Sequence, residues 1–351
     1  MKRKNIGFLS YWGWSRGMAY VTLCYAKMIK DDHNVFILKQ GINETLPEFN
    51  IGINVEEHDS KNITAKIFSD WLTKNKIDIV IFNEYNQWTK DPNELIQVAK
   101  KFGVKTFGYL VMERFEPKQV YEYDRIICPT KSVCRVMRQH KIRHFSYVPF
   151  SIDLTEFPND TERNVNKKFT FFHPGGWGGV YNRKNTEIVI EAFEQLDDDN
   201  TELIITSLKP LQFNRELRSN IKIINKDLSR KELLEQYFRS DMVVLPSKWE
   251  TVGLPIVEAM ASSKPVITTD VPPMNEFITH QENGYLCSNT LVKYNGISVY
   301  GAEVSPNDLK KVMVNAMNKD VINFLGRNAR NNVEKLYNLE KNKKYLLELI
   351  G

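Results

Sequence analysis

The sequence has no long hydrophobic run and few cysteines. No stretch approaches about 18 consecutive apolar residues, so we expect no membrane-spanning helix. The four cysteines, Cys24, Cys128, Cys134 and Cys287, lack the paired spacing of metal sites, and no histidine cluster accompanies them. Internal repeats and low-complexity tracts are also absent. We therefore expect a cytoplasmic globular protein whose thiols are reduced core residues.

Charge is modest and unevenly distributed. Residues 1–153 have a net charge of +6 and residues 154–351 have one of −1. A basic cluster in the first half comprises Arg135, Arg138, Lys141, Arg143 and His144. An ordinary solvated surface explains such a small excess, and weak peripheral contact with an anionic membrane or with nucleic acid is the alternative.

Short apolar strands alternate with amphipathic helices along most of the 351 residues. This alternation predicts parallel sheets that are covered by helices on both faces. The polar, turn-rich segment 151–168 interrupts the rhythm, and we place a domain boundary there. We predict an N-terminal domain over 1–152 and a second domain over 153–325. A C-terminal helix over 326–351 is expected to pack back toward the N-terminal domain.

One segment of the second half departs from this rhythm. Residues 287–304 contain Tyr294-Asn295-Gly296-Ile297, and an Asn-Gly pair between short strands is typical of a tight hairpin turn. We predict a β-hairpin insertion here, and its role is open.

The most informative motif follows the predicted strand Met242–Leu245. Glu250 lies just beyond the end of that strand, where parallel sheets present ligand-binding residues. Gly253 allows close backbone approach, and Pro255 suits the first position of a helix. The free N–H groups of such a helix start favour a phosphate. Glu258 lies one turn into the helix, so two carboxylates flank the phosphate site, each able to accept hydrogen bonds from a diol.

This segment resembles the EX7E signature of glycosyltransferase family 4, whose members are retaining enzymes of the GT-B fold. The resemblance extends to the run before the signature, from Ser229 to Ser247, and to Lys264-Pro265-Val266 after it. It covers the second domain closely and the first only in outline. It implies two Rossmann-like domains that face a central cleft, an acceptor-side domain over 1–152 and a nucleotide-sugar (donor) domain over 153–325.

By this resemblance, Glu250 contacts the hydroxyls of the donor sugar and Glu258 contacts the ribose. Lys184 matches the family lysine that neutralises the diphosphate leaving group, and Glu250 and Lys184 are the candidate catalytic residues. Where the family usually has an arginine, this chain has Trp177, and Arg183 is the candidate replacement. A solvated helix start is the alternative for both Arg183 and Lys184.

Other candidate substrate-binding residues rest on the same resemblance. The amides of Gly253 and Leu254 are expected to meet the sugar and the diphosphate, and the backbone near Leu228 is expected to read the base. Glu113, with Arg114 as the alternative, stands near the place of a family histidine that contacts the donor sugar.

In the first domain, a glycine-bearing loop joins the first strand to the first helix. Gly13, Arg16 and Gly17 could approach the diphosphate there, and a plain tight turn is the alternative. Trp12 and Trp14 suit an acceptor site or packing between domains. Residues 83–88, rich in polar and aromatic side chains, suit carbohydrate recognition or a surface loop.

The resulting prediction is a retaining glycosyltransferase that moves a hexose-type sugar from a nucleoside-diphosphate sugar to an acceptor hydroxyl. A nucleotide-sugar epimerase, a phosphorylase and a non-catalytic nucleotide-sugar binding protein are the alternatives. We expect no essential metal or other cofactor, and we read Asp197-Asp198-Asp199 as a helix-ending loop. The base, the sugar, the acceptor and the oligomeric state are not predicted.

Overall fold

The chain folds into two compact α/β units. A computed structural model describes residues 2–14, 17–41, 45–58, 63–83, 92–109, 115–158, 168–177, 183–294 and 300–351. The first unit combines Met1–Ser151 with Leu339–Gly351, and the second unit is Ile152–Asn338. Each unit is built on its own parallel sheet, which confirms the predicted fold class.

Seven parallel strands make the sheet of the first unit within the described ranges, in the order β3-β2-β1-β4-β5-β6-β7. These strands are β1 Asn5–Ser10, β2 Asn34–Gln40, β3 Asn54–His58, β4 Ile79–Asn83, β5 Lys105–Tyr109, β6 Arg125–Cys128 and β7 Phe145–Tyr147. The helices between them are α1 Gly17–Ile29, α2 Ala65–Lys74, α3 Pro92–Lys101, α4 Pro117–Val120 and α5 Lys131–Gln139.

The second unit has a parallel sheet of six strands in the part of the chain that the structure describes, in the order β10-β9-β8-β11-β12-β13. These strands are β8 Phe169–Gly175, β9 Thr201–Ser207, β10 Ile221–Asn225, β11 Met242–Leu245, β12 Val266–Thr269 and β13 Gly284–Cys287. The helices are α6 Thr186–Glu194, α7 Arg230–Arg239, α8 Leu254–Ala261, α9 Met274–Phe277, α10 Pro306–Ala316 and α11 Lys319–Leu336. A final helix, α12 Leu339–Ile350, belongs to the first unit.

The central strands are apolar on both faces because helices cover both sides of each sheet. β4, β8 and β11 are buried along their full length. In the second unit, Phe171, Val244 and Ile267 belong to one core cluster and are all fully buried. Each such side chain contributes about 1.5–3 kcal/mol relative to an exposed position, which fixes the strands and therefore the loops at their carboxyl ends. All four cysteines are buried, and none of them forms a disulfide.

The C-terminal region is organised differently from the prediction. The helix expected from residue 326 is the second half of α11, which runs to Leu336 inside the second unit. Only Leu339–Gly351 belongs with the first unit, where α12 packs on α1. No glycine or proline separates α11 from α12, so the sequence reads as one continuous helix across Tyr337 and Asn338.

The predicted insertion at residues 287–304 contains two short strands. β14 Thr290–Lys293 and β15 Tyr300–Glu303 form an antiparallel pair at the predicted insertion, while the expected Asn295-Gly296 turn lies outside the described residues. Among the described residues, no helix has both the length and the apolar character needed to cross a bilayer.

Candidate active site

The candidate site of the second unit forms where β8 and β11 lie side by side. These two strands are hydrogen-bonded neighbours, and the strand order changes direction between them, as at ligand sites of other α/β proteins. The loop after β8 carries Arg183 and Lys184, and the loop after β11 carries Glu250. Residues that are 66 positions apart in the sequence therefore meet at one edge of the sheet.

Glu250 has three side-chain partners in this cluster. Lys184 Nζ contacts its Oε1, and Arg183 Nη1 donates to its Oε2 at 2.9 Å. Ser247 Oγ also donates to Oε1, at 2.9 Å. Glu250 and Lys184 are 8% and 5% exposed, so this pairing is screened only weakly by water.

The surroundings of Glu250 keep it ionised. Burial by itself would raise the pKa of its carboxyl, but the positive charges of Arg183 and Lys184 outweigh burial and hold the pKa at about 2. The hydrogen bonds from Lys184 and Ser247 act in the same direction. An ionised carboxylate only accepts hydrogen bonds, so Glu250 is chemically suited to bind hydroxyl groups.

Backbone contacts hold the two basic residues against the loop after β11. Lys248 N donates to Arg183 O at 2.8 Å, and Arg183 Nη1 reaches Trp249 O at 3.3 Å. Asn185, in the left-handed region at φ 56°, donates from Nδ2 to Pro246 O at 2.7 Å and precedes α6. The turn thus presents Arg183 and Lys184 to Glu250 before the helix begins.

The helix that follows Glu250 begins one residue earlier than predicted. Its N-cap is Gly253 at φ 69°, Leu254 is the first helical residue, and Pro255 is the second. No side chain caps the helix at Gly253. Pro255 has no N–H and Ile256 N donates to Gly253 O at 2.8 Å, so the amides of Gly253 and Leu254 are the donors that this helix start can offer to an anion. A Cβ at Gly253 would lie 3.3 Å from Ile256 Cδ1 as well as straining the backbone, which explains the glycine.

The second carboxylate of the motif, Glu258, has different partners. It is 2% exposed, its Oε1 contacts Arg230 Nη1, and its Oε2 accepts from Tyr237 Oη at 3.0 Å. Arg230 Nε also donates to Glu156 Oε2 at 2.9 Å. Burial, followed by the charge of Glu258, raises the pKa of Tyr237, so this phenol stays a hydrogen-bond donor.

Sequence reasoning assigned no role to Ser247, Arg230 or Glu156. A signal for Arg230 and Tyr237 was present, because they are seven residues apart and therefore share one face of α7. No comparable pattern points to Glu156, which reaches Arg230 from a separate short 3-10 turn, Leu154–Glu156.

His173 is a structural residue of the second unit. It is fully buried, with Nδ1 2.7 Å from Val244 O and Nε2 2.9 Å from Thr186 Oγ1. Since a carbonyl oxygen can only accept, Nδ1 carries the proton and Nε2 accepts from the threonine hydroxyl. Both ring nitrogens are used, which leaves none for a substrate.

The remaining predicted residues are either apart from this cluster or outside the described ranges. Leu228 lies half-buried in the loop between β10 and α7. In the first unit, Gly13 has φ 83° and a Cβ there would lie 2.9 Å from Thr45 Cα, while Gly17 begins α1. Arg16, Glu113, Arg114 and residues 84–88 lie outside the described residues.

The aromatic residues of the first-unit loop have packing roles. Trp12 is fully buried, and its ring meets that of Phe49 edge-to-face with centroids 5.1 Å apart. Trp14 lies 5.2 Å from the ring of Tyr11. The fully buried Trp12 is therefore core of the first unit and not an exposed stacking platform.

No group of three or more His, Cys, Asp and Glu side chains among the described residues is arranged to hold a metal ion. The run of aspartates after α6 has other partners: Arg218 pairs with Asp197 at 2.5 Å and with Asp199 at 3.0 Å. Asp198 accepts from the Asn200 amide at 2.8 Å. These contacts fit the predicted helix-ending loop. That the protein needs no metal stays a prediction.

Comparisons with known proteins match this architecture. The family described as "Glycosyl transferases group 1" matches residues 158–294. The chain is 24% identical over 248 residues to an alpha-monoglucosyldiacylglycerol synthase of Streptococcus pneumoniae, covering 65% of this chain and 55% of the relative. It is 23% identical over 267 residues to the Escherichia coli UDP-Gal:alpha-D-GlcNAc-diphosphoundecaprenol alpha-1,3-galactosyltransferase, covering 68% and 65%. The matched segments thus span less than two thirds of each of these relatives.

Solved structures extend the match to both units. The Anabaena HepE structure in complex with UDP and glucose has a TM-score of 0.74 at 15% identity, covering 99% of both chains. Sucrose-phosphate synthase from Thermosynechococcus elongatus has a TM-score of 0.76 at 14% identity, covering 99% of this chain and 98% of the other. At such identities the likeness concerns the fold. Residues 158–294, which lie in the second unit, match the glycosyl transferases group 1 family, and the chain has the GT-B fold.

Proposed function

We propose that this chain is a retaining glycosyltransferase that moves a hexose-type sugar from a nucleoside-diphosphate sugar to an acceptor hydroxyl. The observation that carries the proposal is the buried Glu250, held ionised by Lys184 and Arg183 where β8 and β11 end. The fold supports the class of reaction. The UDP and glucose in the Anabaena structure, and the UDP-Gal in the name of the Escherichia coli relative, support the class of donor.

The charges of the cluster suit a sugar diphosphate. Arg183, Lys184 and Glu250 together have a net charge of +1, which favours an anionic leaving group. Lys184 and Arg183 would share their hydrogen bonds between Glu250 and the diphosphate, and the amides of Gly253 and Leu254 would bind the same group. Glu250 would accept hydrogen bonds from hydroxyl groups of the sugar.

Glu258 suits the nucleoside end of the donor. Arg230 and Tyr237 each use one of its oxygens, and a carboxylate has about four acceptor positions, so two remain for a vicinal diol such as that of ribose. Because Glu258 lies in α8 and Glu250 just before it, one segment would hold both ends of the donor.

In the proposed reaction, the acceptor oxygen bonds to the anomeric carbon on the face from which the diphosphate leaves. The bond between that carbon and the β-phosphate oxygen breaks, and the acceptor proton passes to this phosphate oxygen. Lys184 and the amides of Gly253 and Leu254 stabilise the departing diphosphate, and no metal or other cofactor takes part in this scheme.

The test is turnover of a panel of nucleoside-diphosphate sugars by wild-type protein and by Glu250→Gln, followed by mass spectrometry. We expect release of nucleoside diphosphate from one class of donor, stimulated by an acceptor hydroxyl. Glu250→Gln should reduce turnover by about 100-fold or more, because the buried cluster loses the charge that the sugar hydroxyls contact. Glu235→Gln makes the same charge change on an exposed face of α7 and should have wild-type turnover.

Three results would contradict the proposal. Wild-type turnover by Glu250→Gln would show that the charge of Glu250 does not contribute to the transfer reaction. An epimerised donor, or release of a sugar phosphate, would indicate an epimerase or a phosphorylase on the same fold. Binding of nucleotide-sugars without turnover in the presence of all acceptors would indicate a binding protein.

A further inference from the structure

The β14–β15 hairpin packs directly on the segment that leads to Glu250. The two strands are antiparallel, with Val292 opposite Gly301. Ala302 N donates to Lys248 O at 2.8 Å, so the backbone of β15 is hydrogen-bonded to the loop after β11. A two-stranded hairpin is marginally stable by itself, which makes this contact important to the conformation of both partners.

Side chains strengthen the same contact. The ring of Tyr294, just after β14, lies on that of Trp249 with centroids 4.9 Å apart and an angle of 50°. Lys248 Nζ lies 3.2 Å from Glu303 Oε1 and 5.2 Å from the centroid of Tyr294. Tyr294 Oη also donates to Glu303 Oε1. Lys248 and Trp249 are therefore each held by a residue of the hairpin.

Gly301 provides the space for this arrangement. A Cβ at Gly301 would lie 2.4 Å from Tyr294 Cε2 and 3.1 Å from Trp249 Cε3. The two rings thus lie close against the backbone of β15, where a larger residue would push them away.

The segment Lys248–Glu250 also contacts Arg183 of the candidate active site. Lys248 N donates to Arg183 O, and Arg183 Nη1 contacts both Trp249 O and Glu250 Oε2. The pair Lys248–Trp249 is therefore held between the hairpin and Arg183, and the next residue is Glu250.

We propose that Tyr294 and Glu303 of the hairpin are positioning residues that fix Trp249 and thereby aim the Glu250 carboxylate at the sugar of the donor. This inference rests on the proposed transferase function. It assigns the insertion a role in the sugar-transfer step, since a misplacement of about 1 Å in a reacting group is enough to slow catalysis by roughly 100-fold. Nucleotide binding through Glu258 would not depend on the hairpin.

The experiment compares Tyr294→Ala with Tyr300→Ala in the full-length protein. Tyr300 is the matched control, because it is the same residue type in the same hairpin but is 65% exposed. Steady-state kinetics with the donor identified in the panel would give kcat and KM, and calorimetry would give the Kd of the nucleoside diphosphate without sugar.

We expect Tyr294→Ala to reduce kcat by about 10- to 100-fold with the Kd of the nucleoside diphosphate changed less than about 2-fold. Tyr300→Ala should match wild type in both. Tyr294→Phe keeps the ring on Trp249 and lacks the hydroxyl. It should recover most of the lost kcat, which would not happen if the effect came from loss of the hydroxyl alone.

Equal kcat values for Tyr294→Ala and Tyr300→Ala would overturn the inference, as would a parallel loss of nucleoside-diphosphate binding. If Tyr294→Ala does not fold, Tyr294→Leu replaces it, since leucine fills apolar space without the flat ring, and the same outcomes decide. A wild-type protein that turns over no donor would overturn the proposed function itself, which separates the two failures.

Discussion

Glu250 and His173 are both buried in the same region of the second unit, but Glu250 is ionised and His173 is neutral. Two cations surround Glu250, so its carboxylate remains charged. His173 has only neutral hydrogen-bond partners; burial lowers its pKa to about 4, the bond to Val244 O opposes this shift, and Lys184 adds to it. The ionised state of Glu250 and the neutral state of His173 thus follow from their neighbours.

The low pKa of His173 predicts a pH-dependent stability. The unfolded chain binds a proton at this residue near pH 6.5, whereas the folded protein does so only near pH 4. The contribution is complete above pH 6.5 and is lost as the pH falls toward 4. It amounts to about 2 kcal/mol of unfolding free energy between pH 7 and pH 5. Urea unfolding at both pH values would measure it.

A variant isolates this contribution. His173→Asn keeps a donor for Val244 O but cannot titrate, so the difference between pH 7 and pH 5 should shrink by about 2 kcal/mol even though the variant is less stable at both. Equal pH dependence of wild type and His173→Asn would show that folding does not lower the pKa of His173.

Some of this residue-scale arrangement was predictable and some was not. The strand–turn–helix pattern around Glu250 and Glu258 identifies these two residues as candidates, and the resemblance to glycosyltransferase family 4 adds Lys184. Their partners depend on which strands are neighbours. The contact between Lys184 and Glu250 exists because β8 and β11 are adjacent, and the bond from Arg230 to Glu156 joins segments 74 residues apart. Neither is encoded in a local pattern.

At the scale of elements, α7 positions Arg230 and Tyr237 against Glu258, and its start is defined by a capping box. Ser229 Oγ accepts from Glu232 N at 3.3 Å, and Glu232 Oε2 accepts from Ser229 N at 2.9 Å. Because two backbone donors at the helix start are satisfied in this way, Arg230 is held at the first helical position.

Ser229→Ala should therefore lower the unfolding free energy by about 1 kcal/mol, within a range of roughly 0.5–2. Ser229→Thr keeps the hydroxyl and should be close to wild type. Denaturant unfolding of the three proteins at one pH provides the comparison. A loss in the threonine variant equal to that in the alanine variant would mean that the hydroxyl does not cap α7.

The strands differ in how strongly their local sequence predicts them. Buried strands such as β4 and β11 are short apolar runs, and β11 has the predicted bounds Met242–Leu245. β3 has no such run, because it is an edge strand with the mostly polar sequence Asn-Val-Glu-Glu-His and is largely exposed. Tertiary pairing with β2 makes it a strand, and no periodicity of its own does so.

At the scale of the whole molecule, the chain leaves the first unit after Ser151 and returns to it at Leu339. Specific contacts tie the returning helix to the first unit: Asn342 Nδ2 donates to Ser151 Oγ at 2.8 Å, and Lys343 pairs with Asp32 at 2.6 Å. Lys4 Nζ donates to Gly351 O at 2.9 Å, so the residue just before β1 is involved as well. The last 13 residues thus complete a unit that is otherwise N-terminal.

Removal of residues 339–351 should therefore destabilise the first unit selectively. α12 packs on α1 and contributes the buried side chains of Leu346 and Ile350. Its removal exposes to water the apolar surface that these side chains cover. Hydrogen exchange followed by mass spectrometry should show faster exchange in peptides from α1 and β1 and little change in peptides from β8 and β11. Substitution of Lys344, an exposed residue of α12, by alanine is the control and should leave both sets unchanged. Equal acceleration in both units would mean that the C-terminal helix stabilises the chain as a whole, contrary to its assignment to the first unit.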